Sequence, residues 1–108
     1  MTNTRYNAGR RLEWIVRKDL TEKGYFCVRA AGSKGPADIV AIDESGLAYL
    51  IQCKIGEISK REKVNLYDLA MSFKCVPIVS QPKGKYFMLV KDEDEIVMYP
   101  SRFDRYGG

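Results

Sequence analysis

Histidine is absent from this chain of 108 residues. A Ser–His–Asp triad, a Cys–His dyad and a His-ligated zinc site are thereby excluded. Cysteine is scarce: Cys27, Cys53 and Cys75 are far apart, odd in number and form no CxxC pair. They frame neither a zinc site nor a disulfide scaffold, and they read as reduced, buried thiols of a cytoplasmic, intracellular protein. Long apolar runs are missing, so no segment is built to cross a membrane. The stretch from Met1 to Arg11 is polar and basic and lacks the apolar core of a secretory signal. No internal repeat or low-complexity tract is present.

What is there is enough for one core. Hydrophobic residues make up 45% of the chain, and a chain of this size buries about two-thirds of its unfolded surface. The expectation is a single domain over residues 1–108, with about 101–108 as a frayed tail ending in Gly-Gly. Lys and Arg number 18 against 14 Asp and Glu, a formal net charge of +4. The excess is lopsided. Residues 1–36 hold eight basic and three acidic side chains, whereas residues 37–108 hold ten basic and eleven acidic. A basic excess at one end points to a polyanionic partner such as nucleic acid.

Periodicity orders the elements. Leu12, Ile15, Val16 and Leu20 recur at helical spacing and predict a helix from about Asn7 to Lys23, stopped by Gly24. A strand over Tyr25 to Ala30 follows, then a loop from Ala31 to Pro36. Asp38 to Ile42 and Leu47 to Lys54 are predicted strands joined across the turn signal at Gly46. The long apolar run of the latter marks a central strand. A second helix from about Lys60 to Lys74 carries an apolar arc wider than one sheet face requires, with Tyr67, Met71 and Phe73 as candidates for a subunit contact. Strands at 76–80, 86–90 and 96–99 complete the order αβββαβββ. The fold class is α/β, a central mixed β-sheet flanked by helices.

The chemistry-bearing residues gather where two strands meet. Alternation places Gln52 and Lys54 on one face of their strand. If that strand pairs with its predecessor, Asp38 lies close to one of them. An acid, a side-chain carbonyl and a lysine would then converge at one sheet edge, a set suited to Mg²⁺, with the backbone carbonyl of Cys53 between. Each residue alone also has an ordinary reading: a turn acid, or polar positions at a strand end. Glu13 has Arg10 and Arg17 three residues before and four after it, the pattern of a surface ion-pair cluster. Trp14 reads as core or interface.

The joint pattern is Gly-Pro-Ala-Asp ending at Asp38, a gap of thirteen residues, then Gln52-Cys53-Lys54. With it the chain resembles the archaeal-type Holliday junction resolvases of the PD-(D/E)xK nuclease superfamily. Glu13 stands at the place of that family's first-helix glutamate. Arg29-Ala30-Ala31-Gly32-Ser33-Lys34 resembles its strand-end arginine and small-residue loop, Asp38 its metal-binding aspartate, and Gln52-Cys53-Lys54 its Glu-x-Lys.

The resemblance implies a restriction-endonuclease-like fold. It also implies a crossover-junction endodeoxyribonuclease that uses Mg²⁺, with Mn²⁺ as a substitute, in DNA recombination and repair. By it, Glu13, Asp38, Gln52 and the Cys53 carbonyl would bind metal and Lys54 would position water. Ser33 and Lys34 would touch the junction from a loop, and Arg29, with Arg10 and Arg11, would hold phosphates. A homodimer acting on branched DNA follows, because two strands must be cut symmetrically. It would work in the cytoplasm, that of the host cell if the gene is viral. Gln52 departs from the family glutamate. Its carbonyl can bind a metal, but the site loses one negative charge. Three other readings stay open: another nuclease of the superfamily acting on branched or damaged DNA, a non-catalytic DNA-binding module on the same fold, and a small RNA-binding protein.

Overall fold

The computed structural model describes residues 4–30 and 35–103. Helix α1 (Thr4–Glu22) is followed by strands β1 (Phe26–Arg29), β2 (Ile39–Ile42) and β3 (Ala48–Cys53). Helix α2 (Lys60–Ser72) then leads to β4 (Val76–Gln81), β5 (Lys85–Asp92) and β6 (Glu95–Pro100). The order is the one that the periodicity predicts. All six strands form one sheet in chain order, β1-β2-β3-β4-β5-β6. Only β3 and β4 run parallel, because α2 carries the chain back between them.

Side-chain alternation divides the core between the two sheet faces. On one, Leu12, Val16 and Leu20 of α1 pack on Ile39, Ala41, Ile51, Ile78 and Tyr86. On the other, Leu66 and Ala70 of α2 cover Leu50, Val79 and Leu89. Pro77 fits in β4 because the strand's pairing with β5 begins only at Ile78. Helix α2 starts at a full capping box: the Ser59 hydroxyl accepts from the Glu62 N–H, and the Glu62 carboxylate accepts from the Ser59 N–H.

Three expectations change. Ile15 is 46% exposed, because the buried stripe of α1 runs at steps of four through Leu12, Val16 and Leu20 and leaves Ile15 at its margin. Trp14 is not a core residue: it is 56% exposed, with the Lys18 ammonium over its ring at 5.6 Å. The frayed-tail reading fails for residues 101–103. Ser101 and Phe103 are buried, and the Phe103 ring meets Tyr25, Tyr49 and Tyr86 at centroid distances of 5.1 to 5.2 Å. The rest of that tail lies outside the described residues, as do Ser33 and Lys34. None of the described helices is long and apolar enough to cross a membrane.

Candidate active site

The site forms where β2 begins and β3 ends. The Asp38 N–H donates to the Ile51 carbonyl at 2.8 Å, and the Asp38 carbonyl accepts from the Ala30 N–H at 2.8 Å. The main chain of Asp38 is thus clamped between the end of β1 and β3. One residue beyond the Ile39–Ile51 pair, Asp38 stands across from Gln52. Its carboxylate accepts from the Cys53 N–H at 2.8 Å, which turns it onto the strand end. Burial pushes its carboxyl above the usual range; the Cys53 N–H opposes the shift, nearby Glu13 adds to it and Arg29 opposes it. An acid held in this way gains from a cation brought beside it.

Two groups of side chains flank that backbone. On the α1 side, Arg29 Nε donates to Glu13 Oε1 at 2.9 Å, an ion pair that ties β1 to α1. The Cys53 thiol shares this side; burial, with Asp38 and Glu13 nearby, raises its pKa far above the usual thiol range. It is therefore a neutral thiol. On the α2 side, Lys54 Nζ donates to Glu62 Oε2 at 2.9 Å, and Gln52 Nε2 donates to the same oxygen at 3.3 Å. The Lys54 ammonium, then the Ser59 N–H, lower the Glu62 carboxyl to about 2.

Of the residues singled out from sequence, Glu13, Arg29, Asp38 and Cys53 come together on one side, and Gln52 and Lys54 lie on the other. Arg10 and Arg11 are exposed on α1. Glu62, which joins Gln52 to Lys54 through one carboxylate oxygen, was not singled out from the sequence. Its signal was present: Ser59 followed three residues later by Glu is a capping-box pattern, which fixes that carboxylate at the start of α2. Glu57, the nearer carboxylate in sequence, is exposed.

The donor set suits a hard divalent cation. The Oε1 of Gln52 is buried and has no hydrogen-bond partner among the described residues. Its orientation follows from chemistry: a flipped amide would set that oxygen against the Glu62 carboxylate. A buried carbonyl oxygen left unpaired at the same strand end as a half-buried carboxylate is an oxygen donor of the kind that Mg²⁺ takes. Among the described residues no three acidic or thiol side chains cluster tightly enough to hold a metal alone, so a metal at this strand end would need amide and backbone carbonyls as well.

No protein-family model and no curated protein matches the chain. Among solved structures it is similar to Hjc of Archaeoglobus fulgidus, a Holliday junction resolvase from an archaeal hyperthermophile. The TM-score is 0.59 at 21% identity, over 91% of this chain and 93% of that one. The fold is thus restriction-endonuclease-like.

Proposed function

We propose that this chain is a metal-dependent, structure-selective DNA endonuclease that resolves four-way junctions. The observation that carries the reading is the Asp38 carboxylate held on the Cys53 N–H, at the strand end where the preceding residue, Gln52, keeps a buried carbonyl oxygen with no partner among the described residues. The fold shared with a resolvase supports the same class of reaction. Asp38, Gln52 Oε1 and the Cys53 carbonyl would hold Mg²⁺ or Mn²⁺, with Glu13 completing the set directly or through water. When bound, such an ion lowers the pKa of a water and offsets charge developing on the phosphate.

The protein's own groups do the positioning. Glu62 holds the amide of Gln52 by its nitrogen, which leaves the oxygen as the end that would serve a metal. It also fixes Lys54, whose ammonium orients the attacking water and stabilises the phosphate charge. The negative charge that residue 52 lacks thus stands one hydrogen bond away. Arg29 is held by Glu13; a phosphate that draws Arg29 to itself would leave the Glu13 carboxylate available as a ligand. Arg10 and Arg11 supply further phosphate contacts, with Ser33 and Lys34 on the adjoining loop.

The active unit is a homodimer. Helix α2 leaves Met71 and Phe73 exposed at 45% and 69%. On the sheet face that α2 shares, Phe26 and Val28 of β1 are exposed as well. Tyr67 is half-buried against the second core, so it serves that contact only in part.

The test is cleavage of four-way junction, flap and linear duplex with and without Mg²⁺. Junction-selective, metal-dependent cutting is expected. A linear duplex cut as fast as the junction defeats the resolvase assignment. Tight junction binding with no cutting under Mg²⁺ or Mn²⁺ would make the chain a DNA-binding module. Sedimentation should give a dimer that Phe73→Glu dissociates.

A further inference from the structure

A cleft of about 530 Å³ opens between the start of α1 and the turn joining β4 to β5. Arg11 and Ile15 of α1, Ile55, Ser80, Lys83 and Tyr86 line it. Its backbone is continuous with that of the candidate active site at two places. Ile55 follows Lys54 directly, and the Ser80 carbonyl accepts from the Lys54 N–H at 2.8 Å. On α1, Leu12 lines the cleft next to Glu13.

Two features mark this cleft. The Ser80 hydroxyl is buried, in a residue only 1% exposed, and has no hydrogen-bond partner among the described residues. A buried hydroxyl left unpaired weakens the fold. Ile15 is nearly half exposed on the wall.

We infer that this cleft takes one unstacked nucleobase of the DNA, next to the phosphate being cut; the inference rests on the nuclease reading above. An apolar wall receives the flat face of a base. The Ser80 hydroxyl both donates and accepts, so it can meet any base edge and does not demand one sequence. Arg11 and Lys83 match the phosphates on either side. The volume falls within the usual range for small-molecule pockets, about 300–1,000 Å³. Extruding a base is costly in regular duplex and least costly where stacking is already broken. A branch point offers such a base, and a linear duplex does not. The cleft therefore adds to shape selection without base-specific contacts.

The test uses four-way junctions with 2-aminopurine at each nucleotide flanking the crossover, bound to the full chain in Ca²⁺. Fluorescence of this base rises when it leaves the stack. At one position a several-fold rise is expected on binding. Ala8→Trp, a bulky replacement at a residue that lines the cleft, should bind the junction and abolish the rise. Ser80→Ala should unfold at the same or a higher temperature and still reduce the rise. If Ala8→Trp does not fold, Ile15→Asp, on the exposed wall, takes its place with the same expectation. Binding with no rise at any position overturns the base-capture inference and leaves the nuclease reading standing. So does a rise that survives both cleft variants. Failure of the unaltered chain to bind or cut any branched DNA overturns the parent reading.

Discussion

Glu62 shares one carboxylate oxygen between the Gln52 amide and the Lys54 ammonium, so these three side chains act as a unit. Gln52→Glu alone places a second carboxylate against Glu62, and like charges at that spacing resist ionising together. That variant is expected to gain little in Mg²⁺ use. Combined with Glu62→Gln, it moves the charge to residue 52 and should cut at least as well as the unaltered protein. Glu62→Gln by itself should lower cleavage about 10–100-fold, the usual cost of losing a group that orients a ligand. Cleavage rates against Mg²⁺ concentration for the four proteins form a double-mutant cycle that measures the coupling. Asp38 obeys a different balance. Its carboxyl is pushed up by burial, so its charge works against folding near neutral pH. Asp38→Asn keeps an acceptor for the Cys53 N–H and removes that charge. It should abolish cleavage, keep junction binding and raise the melting temperature in metal-free buffer. The stability gain should shrink as pH falls through the carboxylate range, where the native aspartate takes up a proton.

Among the elements, the start of α2 joins folding to chemistry, since the capping box that begins the helix also positions Glu62. Ser59→Ala should cost about 1 kcal/mol in urea unfolding. Because the same change loosens Glu62, it should also slow cleavage, with no loss of junction affinity. The β2–β3 turn makes a separate prediction. Asp43 accepts from the Ser45 hydroxyl and the Leu47 N–H, and the Tyr49 hydroxyl donates to its other oxygen at 3.0 Å. Burial, then this bond to Asp43, raises the Tyr49 phenol to about 12. A phenol raised in the fold contributes stability that is fully present below the ordinary tyrosine pKa of about 10. That stability is lost as pH climbs through about 12. Asp43→Asn should therefore bring the phenolate absorbance of Tyr49 in at lower pH, read as a difference from Tyr49→Phe. An unmoved titration would refute the role given to Asp43.

For the molecule as a whole, the basic excess of residues 1–36 is partly neutralised within the fold. Lys23 is paired with Asp19, Arg29 with Glu13, and Lys18 loosely with Glu22. Arg10 and Arg11 are exposed on α1, within the turn before Glu13. If phosphates dominate affinity, the logarithm of the junction binding constant should fall linearly with the logarithm of salt concentration. Arg10→Gln with Arg11→Gln should reduce the magnitude of that slope by about 2, about 1 for each arginine that no longer meets a phosphate. A slope unchanged by the double variant would place the DNA elsewhere.

Much of this was legible in the chain before any folding, and the reason is range. Helical and strand periods, the turn at Gly46 and the stop at Gly24 are local signals, so the order αβββαβββ follows from neighbours a few residues apart. The pairing across Gly46 is local as well, and it suffices to set Asp38 opposite Gln52. The remainder joins residues that no local pattern relates. Glu62 reaches Gln52 because α2 crosses back over the sheet, and Arg29 meets Glu13 because α1 lies on β1. Phe103, read as part of a frayed tail, is buried because three tyrosines from separate elements surround it. Ile15 keeps helical spacing yet is left exposed, since burial depends on what packs opposite a side chain as well as on its period. The chain alone determines which residues have the chemistry and which elements hold them. Packing between distant elements determines which of them touch, and so which carboxylate stands against Gln52 and Lys54.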